Sequence, residues 1–441
     1  MECLFNLKDL TSHQMTKRKR DDIPSFHRDF EIPTNDDRTA ALGSFPSTLP
    51  RPDALWQSTD QNHLSLDDLD EKFLYQPTTQ VNQKIPKPRD ELDWLAQVPE
   101  EAQSLQQYVE FLTTRSGKRL RPVANASGNT ICLLPIITDE WTATAPDLQS
   151  LVRMTQAFFQ RPATVLKPAV IVTKKTREVK NNRPSRGQQR SKTTTAKCGS
   201  AKFDIHMYNQ DGVQTSKGPI IGRHNNGTNK NQFQVDSLLD RLASFRENDH
   251  KDNNFCIMGV TLGDLYDSND DLFCAGMAYG GSKVAVFSFH RYHPHMKMSP
   301  QTWWDYGYTS KQTATDNYSY FEIDKRPKLL THDPPSTLRD ILQVEWSRRS
   351  CKLLLHELGH LYALDHCVFN KCLMNGTGHL VEDFAAPFHV CGICLRKLQW
   401  RLGFSVEGRY EELEGVMKEM GLTKESRWTQ QQIRSIRKSR A

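Results

Sequence analysis

Residues 356–376 read HELGHLYALDHCVFNKCLMNG. His356 and His360 are four apart, so on a helix they share one face, one turn apart. Two imidazoles placed in this way can bind one zinc ion through nitrogen at roughly 2.0–2.1 Å. Glu357 follows the first of them and is placed to act as general base on a water that the ion activates. His366 lies six residues beyond His360 and reaches the same ion only if the chain turns back near 361–363. Three neutral ligands with an open fourth position predict a catalytic zinc rather than a structural one. The expected chemistry is hydrolysis of a peptide bond. The metal polarises the carbonyl and lowers the pKa of water from about 15.7 to roughly 7. Glu357 takes the water's proton and delivers it to the leaving amine, with no covalent enzyme intermediate.

A second set of ligands follows at once. Cys367 and Cys372 have four residues between them, Cys391 and Cys394 have two, and eighteen residues separate the pairs. That spacing suits a closed tetrahedral four-thiolate zinc site with a structural role. It would staple the segment after His366 to the helix CLRKLQWRLGF, and two zinc ions per chain are expected. Met374 alone would be an ordinary core residue; following this motif it reads as the Met-turn beneath the metal.

The elements that must position these groups are legible around them. Hydrophobic residues make up 37% of the 441 residues, below the usual 45–50%, so long polar stretches are expected beside a folded part. Residues 1–88 and an insertion at 174–230 read as disordered, because they carry too little apolar surface to offset ordering entropy. Ten Lys/Arg against one Glu lie between Lys174 and Lys202. The peptidase domain is expected over 89–410, with a C-terminal helix and basic tail at 411–441. Within the domain, Leu105, Tyr108, Val109 and Leu112 have helical spacing, as does LQSLVRMTQAFF from Leu148. ICLLPII (131–137) reads as a buried strand. TVLKPAVIV (164–172) reads as another, with an edge or bend at Pro168. A helix at 234–246, strands in NNFCIMGVTLGDLY, AGMAYGG and KVAVFSFHRY, and a helix start at Ser336 or Thr337 complete an α/β (α+β) pattern.

Net charge is +6, mild and unevenly spread, which argues against a dedicated nucleic-acid binder. No apolar run approaches the roughly 18–20 residues of a membrane span. MECLFNLKDLTSHQ lacks an apolar signal core. An intracellular, cytoplasmic protein is expected, with a nuclear alternative through Lys17–Arg20.

These residues together resemble the archaemetzincins. The resemblance rests on His356, Glu357, His360, His366, Cys367, Cys372, Met374, Cys391 and Cys394, and on segments such as DELDWLAQVPEEAQSL and FCIMGVTLGDLY. It spans most of 90–173 and 231–408. It implies a metzincin-like mixed twisted sheet with an active-site helix, a Met-turn and a C-terminal helix. It also implies two zinc ions, a peptide or protein substrate taken by strand addition along an edge strand near 284–289, and aminopeptidase-like specificity. Where this chain has Ala363 the family usually has Gly. The backbone must turn there with positive φ, which costs Ala roughly 1–2 kcal/mol. A rival reading is therefore a weak or inactive zinc protein that binds peptides or partners. A zinc-stabilised nucleic-acid binder leaves the three histidines and Glu357 unexplained.

Overall fold

The computed structural model describes residues 33–42, 85, 88, 93–114, 129–138, 146–173, 201–225, 230–250, 254–268, 273–292, 336–378 and 380–440. In chain order the helices and strands are α1 (Asn35–Leu42), α2 (Trp94–Gln97), α3 (Leu105–Thr113), β1 (Ile131–Ile137), α4 (Leu148–Phe159), β2 (Ala163–Val165), β3 (Ala169–Thr173), β4 (Ala201–Tyr208), β5 (Gln214–Asn225), β6 (Lys230–Gln234) and α5 (Val235–Phe245). They continue with β7 (Cys256–Thr261), β8 (Asp264–Tyr266), β9 (Gly276–Tyr279), β10 (Val284–Ser288), α6 (Ser336–Leu361), α7 (Leu380–Ala385), α8 (Gly392–Leu402), α9 (Val406–Glu419) and α10 (Thr423–Arg440).

The strands form one mixed sheet in the order β8-β6-β5-β4-β3-β1-β7-β10-β9, and β2 also pairs with β1. β1 runs parallel to β2, β3 and β7, and β7 parallel to β10. β2 and β3 meet successive parts of β1 and are separated by the stretch containing Pro168, where the sequence marked a bend. An isolated bridge from Leu265 to Cys274 brings β8 to the chain just before β9, so the two ends of the sheet approach each other.

Period-two alternation divides the core. In β1, Ile131 and Leu133 join one cluster while Cys132, Leu134 and Ile136 join the other. β10 does the same, with Ala285 and Phe287 on one face and Val284 and Val286 on the other. Buried parallel strands need apolar residues on both faces, which explains continuous runs such as ICLLPII. Leu238, Leu239 and Leu242 of α5 cover one face. α4, α6, α8 and the C-terminal helices cover the other. α6 packs against β9 and β10 and so sets the histidine helix against the sheet.

Four expectations change. The region 174–230 is not wholly without order, since β4 and β5 fill 201–225. Phe203, Ile205, Met207 and Ile220 alternate inward onto α5, a two-residue period that the Lys- and Asn-rich composition hides. In 1–88, α1 is ordered: Thr34 and Asp37 cap each other, and Ala41 and Leu42 bury against the main core. The basic tail is the helix α10, whose Ile433 and Ile436 are buried. The strand near 284–289 is internal, between β7 and β9, so the edge on this side is β9. Lys17–Arg20 and the basic run at 174–200 lie outside the described residues. No described helix is long and apolar enough to cross a membrane.

Phe203 stands edge-on to Phe233 with centroids 5.1 Å apart and is 2% exposed. Phe203→Ala is expected to cost about 3–5 kcal/mol, read as a lowered urea midpoint. An unchanged midpoint would mean that 201–225 does not contribute to the folded core.

Candidate metal centre

α6 is a 26-residue helix whose last turns carry His356, Glu357 and His360. It ends in a Schellman motif. The Ala363 N–H donates to the His360 carbonyl at 2.8 Å, and the Leu364 N–H to the Gly359 carbonyl at 3.0 Å. Ala363 sits at φ +67°, the left-handed conformation expected there from the glycine usual in the family this chain resembles. Its neighbours hold it there. The Tyr362 carbonyl accepts from Tyr108 Oη and from Arg401 Nη1, both at 2.8 Å. The Tyr362 ring stacks between Phe159 and Phe255, with centroids at 4.8 and 4.5 Å. Gln103 Nε2 donates to the Ala363 carbonyl at 3.1 Å and to Asp365 Oδ2 at 2.6 Å.

The turn brings the third histidine back. One nitrogen from each of His356, His360 and His366 lies within 4.8 Å of the others. His356 Nδ1–H donates to the Leu373 carbonyl at 2.8 Å and His360 Nδ1–H to the Leu364 carbonyl at 2.7 Å. Both Nε2 atoms are then lone-pair acceptors, yet they face each other at 3.1 Å. Two acceptors so close repel unless a cation joins them. Tetrahedral ligation at the usual Zn–N length would separate them by roughly 3.3–3.4 Å, close to what is found. Burial, reinforced by His366, pulls the His356 imidazole down to about 4; burial with His356 and His366 drives His360 well below its ordinary value. Both rings are therefore neutral, the form that ligates. Burial lowers His366 as well, but the Glu100 carboxylate 2.7 Å from its Nδ1 outweighs that and raises it. Burial pushes the Glu357 carboxyl up to about 7.

Met374 is fully buried beneath the helix. Its carbonyl accepts from the Cys367 N–H at 2.7 Å. A Cβ on Gly359 would come within 2.5 Å of the Met374 sulfur, so the methionine lies directly against the helix backbone there. Asn375 fixes the turn through three hydrogen bonds. It accepts from the Cys372 N–H at 2.7 Å and donates to the Cys367 and Asn370 carbonyls at 2.6 and 2.8 Å.

Cys367, Cys372, Cys391 and Cys394 form the second group among the described residues that could hold a metal, and all four are buried. Cys367 Sγ and Cys391 Sγ are 3.7 Å apart. A tetrahedral ZnS4 site with Zn–S near 2.3 Å requires about 3.8 Å, so the donor set fits. Hydrogen bonds from Cys372, Cys391 and Cys394 hold the Cys367 thiol well below its usual range, whereas burial raises Cys372.

The structure brings His356, His360 and His366 together in one group and Cys367, Cys372, Cys391 and Cys394 in another. Sequence reasoning missed the supports: Glu100, Gln103, Tyr108, Asn375 and Arg401. Of these only Glu100 and Gln103 carry a local signal, since they lie just before the capping box of Ser104 and Gln107 that opens α3. His290, which the sequence groups with His293 and His295, turns its Nδ1 to the Leu262 carbonyl at 3.1 Å; the other two lie outside the described residues.

The sequence model of peptidase family M54 matches residues 342–400, the stretch from α6 through α8. The chain is 34% identical to Archaemetzincin-2 of Rattus norvegicus over 194 residues, which is 42% of this chain and 47% of that protein. It is 31% identical to Archaemetzincin-2 of Homo sapiens over 227 residues, 50% of this chain and 56% of the relative. The crystal structure of an archaemetzincin from Methanopyrus kandleri aligns over 63% of this chain and 97% of its own, at 18% identity and TM-score 0.32. The chain spans about half the length of the curated relatives it matches. It is thus related to the archaemetzincins.

Ala363→Gly should relieve the positive-φ strain. Allowing for glycine's larger unfolded-state entropy, it is expected to stabilise the chain by about 0.5–1 kcal/mol. A raised urea midpoint at constant slope is the readout, and a lowered one would mean that the left-handed turn is not strained.

Proposed function

We propose that this chain is a zinc-dependent metallopeptidase that hydrolyses peptide bonds, with His356, His360 and His366 holding the catalytic ion. The observation that carries the reading is the convergence of three imidazole nitrogens, from His356, His360 and His366, beside a buried carboxyl, Glu357. A zinc ion in that position would supply Lewis-acid polarisation of the scissile carbonyl and acidification of the attacking water. The protein's own groups do the rest. Glu357, raised to about 7 by burial, is tuned near neutrality for taking a proton from water and returning it to the leaving amine. The Nδ1 hydrogen bonds of His356 and His360 fix the tautomers that present Nε2. The substrate backbone would pair with the edge strand β9, beside which α6 lies. Cys367, Cys372, Cys391 and Cys394 would hold a second, structural zinc, giving two per chain. Aminopeptidase-like specificity is proposed with this reading on the resemblance alone.

A weak or inactive zinc protein that binds peptides stands as the second reading, and Ala363 favours it. The tyrosine, arginine and glutamine contacts to residues 362–363 support the active reading, since they hold the turn that returns His366.

Glu357→Gln is expected to keep two zinc ions per chain by elemental analysis. Its peptide-hydrolysis rate should fall by roughly 10²–10⁴-fold. Equal turnover by variant and wild type would remove Glu357 from the mechanism. A wild type that holds both ions and cleaves no member of a broad peptide library would favour the binding protein.

A further inference from the structure

His356 and His360 are oriented by their helix and by hydrogen bonds to main-chain carbonyls. His366 has neither advantage, because it follows a left-handed turn in irregular chain. Its Nδ1 is met instead by a carboxylate from more than 250 residues earlier, Glu100 Oε1 at 2.7 Å. That carboxylate is itself held. Trp94 Nε1 donates to the same oxygen. The Trp94 ring stands edge-on to His366, with centroids 5.2 Å apart and planes at 80°. The Trp94 main-chain N–H donates to Glu382 Oε2 at 2.9 Å, an oxygen that also accepts from the Gly378 N–H at 2.7 Å. A few residues on, Gln103 bonds Asp365 and Ala363, and Lys397 Nζ donates to Gln103 Oε1 at 2.9 Å. Residues 93–104 therefore form a strap across the segment that carries the third histidine.

We infer that Glu100 is a positioning residue for the histidine metal site: its charged acceptor fixes the tautomer and ring angle of His366, leaving Nε2 for the metal. The carboxylate oxygen can only accept, so Nδ1 keeps its proton and, in the neutral ring, Nε2 holds the lone pair. A charged acceptor also makes the imidazole a more basic ligand than a carbonyl partner would. The strap supplies to the loop-borne ligand what the helix supplies to the other two. Both side chains are only about one-seventh exposed, at 14% for His366 and 15% for Glu100, so water competes little for the contact.

This inference rests on the zinc-peptidase reading, and its test separates the two. Zinc affinity of the full chain is measured by competition with a chromophoric chelator, with the buried four-cysteine site as internal reference. Glu100→Ala should weaken zinc at the histidine site by roughly 10–100-fold and leave the cysteine site unchanged. Glu100→Gln keeps the shape and the acceptor but loses the charge, and should weaken the same site by a smaller factor. It decides the matter should the alanine variant not fold. Wild-type affinity in Glu100→Gln, or parallel weakening of both zinc sites, would overturn the inference. A wild type whose histidines take up no zinc would remove the peptidase reading itself, and this inference with it.

Discussion

Two imidazole nitrogens that face each other at 3.1 Å, each ring giving its Nδ1–H to a main-chain carbonyl, form an arrangement that a shared cation makes favourable. Much of the surrounding structure serves to hold that arrangement and to add a third ring. Burial keeps His356 and His360 neutral, main-chain carbonyls take their outward protons, and the packing of α6 on β9 and β10 fixes the helix that carries them. His366 cannot come from the same helix, because six residues of continued helix would carry it past the metal. The fold therefore has to break α6 at one place and bring the chain back.

That break is where the chain departs from the glycine usual in the family it resembles. Ala363 adopts the required positive φ, and the interactions around it come from widely separated parts of the sequence. Tyr108 from α3, Arg401 from α8, Phe159 from α4 and Phe255 ahead of β7 all meet at Tyr362, and Gln103 reaches the Ala363 carbonyl itself. A strained turn persists when its surroundings over-determine it, and this is such a case. The cysteine cluster acts on the far side of His366. Cys367 is the next residue along, so a four-thiolate site joined to α8 would anchor the return path of the chain, and the two candidate metal groups adjoin each other along it.

What the sequence made legible was local. The four-residue spacing of His356 and His360, the cysteine pairs and the helical and strand periodicities each lie within a short window, and the structure contains each of them. The extent of α4 came from the same source, and the bend expected at Pro168 is a break between two strands. What it hid was of two kinds. Glu100 and Gln103 lie just ahead of a helix start and Tyr108 lies on the buried face of α3, and nothing local shows that the fold carries all three to the 362–366 turn. The strands of 201–225 were hidden by composition: His206, Lys217 and Arg223 face outward between the inward apolar positions, and averaging over the stretch buries the alternation. α1 lay within reach, because Thr34 and Asp37 form a capping pair ahead of Ala41 and Leu42.

The zinc-peptidase reading requires three rings to meet one ion. X-ray diffraction from crystals of the full chain, recorded on both sides of the zinc absorption edge, tests it most directly. The account predicts two anomalous peaks. One should lie at roughly 2.0–2.1 Å from a nitrogen of each of His356, His360 and His366, and the other within four sulfurs at about 2.3 Å. A peak ligated by His356 and His360 alone, with the His366 ring turned away, would contradict it.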